Sequence, residues 1–190
     1  MEAILKKEIV SNKILCRMLG VLTFIILTAL GAFVRIALPF TPVPITLQTF
    51  FVLLSGVFLG GGLAALTQLS YILLGTLGLP IFTGAGSGLS YLLGPTAGYL
   101  FGFVLASLWL GKFIKYSQDN LFAAFVILCI ADIIILSSGV IWLKFIFGYP
   151  ATKLLFIGFI PFIPGDLLKA LAAAFLYLKL KSRIKEIFQP

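Results

Sequence analysis

The sequence predicts an all-α integral membrane protein: a bundle of six transmembrane helices with both termini in the cytoplasm. Composition and hydropathy pattern lead there. Of the 190 residues, 61% are hydrophobic and 11% are charged, and the mean hydropathy is +1.18. A soluble domain carries about 25% charged residues to cover its water-facing surface. A soluble globular chain is therefore excluded, and so is a disordered one, which needs low hydrophobicity. The apolar runs are long and unbroken, as in Val21–Leu30 and Leu121–Ile135. A transmembrane β-barrel would alternate apolar and polar residues in segments of about 10. Continuous runs that build toward the ~20 residues of a crossing helix point to helices instead.

Residues 1–15 form a lead of mixed charge, with Glu2, Lys6, Lys7, Glu8 and Lys13. The apolar run that follows reaches about Ala37, longer than the roughly 7–15 residues of a signal-peptide core. Spans are expected over residues 16–37, 46–60, 62–79, 92–112, 121–144 and 153–180, making a membrane domain over 16–180. A basic tail, 181–190, completes the chain. Pro39, Pro42 and Pro44 end the first helix, because proline lacks an amide donor and clashes inside a helix. Gly60, Gly61 and Gly62 make a tight turn between spans two and three. Segment 80–91 is glycine-rich, apolar and uncharged, and Pro161, Pro164 and Gly165 interrupt span six.

Orientation follows from the basic residues. With both termini inside, the cytoplasmic side holds Lys6, Lys7, Lys13, Arg17, Lys112, Lys115, Lys179, Lys181, Arg183 and Lys185, against Arg35, Lys144 and Lys153 outside. Cytoplasmic loops collect Lys and Arg, so loops 38–45 and 80–91 are expected outside. The net charge of +8 is explained by the same rule, and no nucleic acid partner is expected. Cys16 and Cys129 show no disulfide or metal spacing. There is no histidine, which removes His-dependent triads, metal sites and proton relays. No metal and no cofactor are expected.

Three ionisable residues lie inside apolar runs: Asp132, Asp166 and Lys169. Each costs roughly 2.5–3.5 kcal/mol on insertion scales, and such residues usually face a cavity or a partner. Asp166 and Lys169 share a helix face at i,i+3 spacing, directly after Pro164-Gly165. They could read a ligand bearing both donors and acceptors, or form an ion pair that only locks the fold. Asp132 faces either a neighbouring helix or a polar cavity. Arg35, near the end of span one, is either an interfacial snorkelling arginine or a cation at the mouth of a site for an anionic ligand. Gln48, just after Thr46, wants hydrogen-bond partners from a helix or a ligand. Gln68, mid-span in the third helix, has the same two readings, and a bond between helices is favoured.

Gly94, Gly98, Gly102 and Ala106 recur every four residues and make a small face on span four, suited to close helix packing. That face could also leave room for a flat ligand, with Tyr91 and Tyr99 beside it. Thr28 and Ala32 make a shorter version on span one, a candidate surface for docking a partner.

Several stretches closely resemble the BioY family. They are Leu38-Pro39, Thr41-Pro42-Val43-Pro44-Ile45-Thr46-Leu47-Gln48-Thr49-Phe50 and Gly78-Leu79-Pro80-Ile81-Phe82. Leu93-Gly94-Pro95-Thr96-Ala97-Gly98-Tyr99-Leu100-Phe101-Gly102-Phe103 and Ile163-Pro164-Gly165-Asp166-Leu167-Leu168-Lys169 follow in the family's order. Members of that family are the biotin-binding membrane subunits (S components) of energy-coupling-factor transporters. The resemblance covers nearly the whole chain after about residue 12. It implies six helices around a biotin site near the outer face of a bacterial plasma membrane, in contact with membrane lipid. The loop between spans one and two would be a lid, and the loop between spans three and four, with Gly86, would line the pocket.

The resemblance also implies a transmembrane coupling subunit and two ATPase subunits. Asp166 and Lys169 would read the ureido head of biotin, and Arg35 or loop N–H groups would meet its carboxylate. Gln48, Thr46, Tyr99, Tyr91, Gly94 and Gly98 would complete the pocket. Thr28, Ala29 and Ala32 would dock the coupling subunit. The sequence departs from the family at Ala97, which replaces a frequent glycine. In span one, Ile25–Ala29 and Thr28–Ala32 replace a pair of alanines four apart.

No G-x-x-x-x-G-K-[ST] phosphate loop is present, so the chain is not expected to hydrolyse ATP, nor to be an enzyme. An S component for another vitamin is the near alternative, and the Pro-Gly-Asp-x-x-Lys and Pro-Val-Pro stretches favour biotin. An intramembrane aspartyl protease could use Asp132 and Asp166 as carboxylates sharing a proton, but Lys169 beside Asp166 opposes sharing. A scaffold subunit without a ligand would have little need of a costly charged pair.

Overall fold

The computed structural model describes residues 13–188, with side chains described up to Ser182. Most of the expected 1–15 lead, and the side chains of Arg183 and Lys185, therefore lie outside the described residues. Helix α1 (Lys13–Phe33) stops short of the expected Ala37. The chain leaves it for a small antiparallel ladder, β1 (Arg35–Ile36) with β2 (Ile45–Thr46). Arg35 pairs with Thr46 and Ile36 with Ile45, so the three prolines sit in the hairpin loop, where no ladder donor is needed. The Leu47 amide then donates to the carbonyls of Gly31 (3.2 Å) and Val34 (3.1 Å). These bonds satisfy carbonyls left open at the end of α1.

Helices α2 (Gln48–Leu59) and α3 (Gly61–Thr76) are joined by Gly60 alone, at φ +80°. A left-handed φ of this kind is cheap only for glycine. A one-turn helix α4 (Leu89–Leu92) precedes α5 (Ala97–Phe113), which runs into a 3-10 turn over Ile114–Ser117. Helix α6 (Leu121–Phe147) is capped by Asn120, whose side chain accepts from the Phe122 and Ala123 amides, and it ends at Gly148 with φ +62°. The expected sixth span is broken: α7 (Ala151–Gly158), a 3-10 turn (Ile160–Phe162), then α8 (Ile163–Phe188). The break coincides with Pro161 and Pro164, which cannot continue the preceding ladder.

The protein is a helical membrane protein. Among the described residues, Lys13–Phe33, Ala97–Ser117, Leu121–Phe147 and Ala151–Ser182 are long and apolar enough to cross a membrane, and Gln48–Leu59 is a shorter apolar helix. Large hydrophobic side chains such as Leu22, Leu73, Ile141 and Phe175 are exposed on the outside of the bundle. Helix α5 packs on α2, α3 and α6; α2 also packs on α1 and α8, and α6 on α8.

Two expectations about small faces change here. Gly94 lies before α5 begins, so the helical part of the repeat is Gly98, Gly102 and Ala106. That face is filled by α6: a Cβ on Gly98 would lie 2.2 Å from Trp142 Cβ, and one on Gly102 2.8 Å from Ile135 Cα. It is a packing face against α6. Thr28 and Ala32 are fully buried, and Thr28 Oγ1 donates to the Phe24 carbonyl at 2.7 Å. They face the bundle interior, so they do not form a docking surface; Ala29 is half-buried.

The end of α5 meets the start of α3 backbone to backbone. A Cβ on Gly111 would lie 1.9 Å from the Gly61 amide nitrogen, whereas one on Gly62 would meet nothing within 4 Å. Gly111→Ala should therefore destabilise the purified protein by about 1–3 kcal/mol, and Gly62→Ala should not. Thermal unfolding in detergent reads the difference, and equal midpoints would contradict the contact.

Candidate ligand site

The site begins with a charged group held between two helices. Lys169, on α8, donates to Asp166 Oδ1 at 2.9 Å and to Thr49 Oγ1, on α2, at 3.0 Å. Thr49 Oγ1 in turn lies 3.3 Å from Asp166 Oδ1, as donor. Asp166 stands in the first turn of α8, where the helix dipole favours a carboxylate. The break in the chain before Ile163 places it there. Lys169 and Asp166 are little exposed, with side-chain accessibilities of 12% and 6%. The pair is thus held inside the bundle by each other and by one hydroxyl.

These groups form one wall of a cavity at the end of the bundle that carries the two irregular loops. Thr46, Gln48, Tyr91, Tyr99, Asp166 and Lys169 all line it, with Thr49, Thr83, Thr96, Phe103, Leu136 and Phe162. About 40 Å³ of it can hold the centre of a water-sized molecule. Pro44, Thr83, Tyr91 and Thr96 also border an outer vestibule, where Arg35, Gly86 and Gly94 lie. Gly98 lines neither space and packs on Trp142.

Arg35 is exposed, and its Nη1 lies 2.6 Å from where a Cβ on Gly84 would be. It belongs to the hairpin and lies over the loop. The expectation that it ends a helix is corrected accordingly.

A second polar cluster fixes the loops around the cavity. Gln48 Nε2 donates to the Tyr71 hydroxyl (2.8 Å), which donates to the Ile81 carbonyl (2.9 Å). Gln48 Oε1 accepts from Thr83 Oγ1 (3.1 Å) and Thr46 Oγ1 (3.3 Å). Gln48 therefore ties β2, α2, α3 and the loop before α4 together. Phe82 is fully buried, stacked on Tyr91 at 4.6 Å between centroids and edge-on to Tyr71 at 5.5 Å. Gly86 is the residue that makes space for the Tyr91 ring: a Cβ there would lie 2.4 Å from it.

On the other side, Tyr99 donates to the Gly158 carbonyl at 2.7 Å, at the end of α7, and its ring fills the space left by Gly139. The hairpin loop is strapped down by Thr41 Oγ1, which donates to the Ile157 carbonyl at 2.6 Å, and Val43 inserts into the core.

Gln68 donates to Ser55 Oγ at 3.1 Å and joins α3 to α2, away from the cavity. Asp132 is buried and does not line this cavity. Thr49, Tyr71 and Thr83 escaped the sequence reading. A hydroxyl in an apolar helix is a weak signal, and only the partners across the bundle reveal its use. Thr49 adjoins Gln48 in sequence but bonds to a different helix.

The model of the BioY family matches residues 6–186. The chain is 40% identical over 159 residues to the "Biotin transporter BioY" of Thermotoga maritima, covering 83% of this chain and 91% of that one. It is 38% identical over 162 residues to the "Probable biotin transporter BioY" of Pyrococcus horikoshii, covering 83% and 91%. Among solved structures it is similar to the S-component for biotin from an ECF-type ABC transporter. The TM-score is 0.84 at 26% identity, covering 90% of this chain and 93% of that one.

Removing the hub of the loop cluster tests its role. Gln48→Leu strips partners from Tyr71, Thr46 and Thr83 at once. A loss of about 1–3 kcal/mol in ligand-free stability is expected, the usual cost of leaving buried polar groups unpaired. Faster amide exchange at residues 81–83 should accompany it. Unchanged stability and exchange would mean that the cluster does not hold the loop.

Proposed function

The chain belongs to the BioY family, and on that premise we propose that it captures biotin at the outer face of the membrane as the S component of an ECF-type transporter. It is a transport protein, as its relatives are named to be, and not an enzyme. The observation that carries the reading is the Thr49–Asp166–Lys169 group. It presents an acceptor and a cationic donor in a mostly apolar cavity, the usual character of a small-ligand site.

Biotin's ureido ring offers N–H donors and a carbonyl acceptor. The ring enters toward α8, an N–H donates to Asp166, and Lys169 donates to the carbonyl. Thr49 keeps the ammonium in place. The bicycle and chain lie among Tyr91, Tyr99, Phe103 and Phe162. The carboxylate remains near the vestibule, where Arg35 supplies positive charge and Thr83, Ser87 and Ser90 supply hydroxyls. The cavity is narrow as it stands, so entry requires the hairpin loop to lift. The Thr41–Ile157 bond is its strap.

In this reading six segments cross the bacterial plasma membrane: α1, α2, α3, α5, α6 and the broken α7–α8. Helices α2 and α3 are short, at about 1.5 Å per residue, and rely on flanking residues to complete their crossings. The basic bias of the ends supports both termini in the cytoplasm. A coupling subunit and two ATPases supply the energy. With Thr28 and Ala32 buried, the coupling subunit meets other residues of the bundle surface.

Calorimetric titration of biotin into the purified, ligand-stripped protein tests this. Lys169→Ala and Asp166→Ala, if folded, should each lose about 2–5 kcal/mol of binding, the cost of truncating one partner of a buried pair. Binding unchanged in both would move the site elsewhere. Arg35→Gln should mainly slow association, with a smaller salt dependence than the unmodified protein shows. Stopped-flow rates at two ionic strengths check this.

A further inference from the structure

Asp132 has no role in the site described above, yet its position demands one. It lies midway along α6, is 5% exposed, and neither carboxylate oxygen has a hydrogen-bond partner. Buried polar groups are almost always paired, and an orphaned carboxylate is among the costliest exceptions. Asp132 lines a second, mostly apolar cavity between α6 and α8, bordered by the exposed side chains of Ile133 and Leu167, with about 150 Å³ available to the centres of water-sized molecules. Leu136 and Asp166 line this space and the ligand cavity alike. The ligand cavity alone, with about 40 Å³ by the same measure, is too tight for a fused bicycle carrying a side chain. The missing room lies directly behind Leu136 and Asp166.

We propose that the two cavities join into one ligand chamber when Leu136 and Asp166 shift, and that Asp132 then accepts a hydrogen bond from the second N–H of a cyclic urea. The inference rests on the biotin reading and extends it. A cyclic urea carries two N–H donors flanking one carbonyl acceptor. The joined chamber offers two carboxylates, Asp132 on α6 and Asp166 on α8, and one ammonium, Lys169. Each donor of the ring finds a carboxylate and the carbonyl finds the ammonium. A ring lacking one N–H leaves Asp132 orphaned, so Asp132 sets specificity for the intact urea.

The test uses the full chain in detergent. Biotin is titrated into the unmodified protein, Asp132→Asn and Asp132→Leu. The two biotin isomers methylated on one or the other ureido nitrogen are titrated as well. Asp132→Leu should weaken biotin roughly 10- to 100-fold, and Asp132→Asn, which keeps an acceptor, should weaken it less. In the unmodified protein both methylated isomers should bind more weakly than biotin, a measurement independent of whether any variant folds. The penalty for one isomer should shrink in Asp132→Leu. The inference fails if Asp132→Leu binds biotin within about twofold of the unmodified protein, or if either isomer matches biotin. Failure of the folded, unmodified protein to bind biotin would instead remove the reading beneath it.

Discussion

Inside an apolar bundle a charge can persist only if other groups of the protein hold it. Here the Lys169 ammonium is held by Asp166 and by the hydroxyl of Thr49 across from it. Several features of the fold converge on that point. The break over residues 159–162 brings Asp166 to the first turn of α8, and α2 packs on α8 so that Thr49 can reach it. A buried ion pair is weak evidence of a purely stabilising role. Well-packed hydrophobic residues often replace a buried ion pair with no loss, or with a gain. The pair lines the cavity, and the biotin reading proposed above uses it as a binding element.

The loops above the pair are held by few bonds, each of a different kind. The loop before α4 is fixed by the Gln48 cluster and by Phe82 in the core, and forms a firm wall. The proline-rich hairpin is tied by Thr41 to the end of α7 and by Val43 in the core. The hairpin's ties are one hydrogen bond to α7, worth about 1 kcal/mol net, and the burial of Val43, worth about 1.5–3 kcal/mol, whereas the wall is held by the several Gln48 hydrogen bonds and a fully buried aromatic ring. A rigid wall and a lightly strapped cover suit a site that must exclude water once filled and still admit a ligand.

Membrane residence, the helical class and the Asp166–Lys169 pair were legible in the sequence, because each rests on local composition or i,i+3 spacing. Helix ends were less so. The first helix was expected to run to Ala37, but the ladder bonds at Arg35 and Ile36 and the Leu47 amide end it at Phe33. The glycine repeat was visible, but only the packing of α6 shows that it is filled and that Gly94 stands outside it. Thr28 and Ala32 could not be told from an outward face, since spacing fixes which residues share a face and not which way it points. The Tyr71 and Thr49 contacts bridge residues far apart in the chain, and no local pattern announces them.

If Lys169 reads the ureido carbonyl of biotin, the two groups lie within hydrogen-bond distance in the bound protein. A direct measurement is the magnetic-resonance distance between a ¹³C-labelled ureido carbonyl and ¹⁵N-labelled lysine side chains in the bound, membrane-embedded protein. A hydrogen bond of ordinary length puts the carbon about 3.5–4 Å from one lysine nitrogen, and Lys169→Arg should abolish that signal. If biotin is bound and no lysine nitrogen lies within about 6 Å of the labelled carbon, more than a hydrogen bond can span, the α8 pair does not read the ligand head.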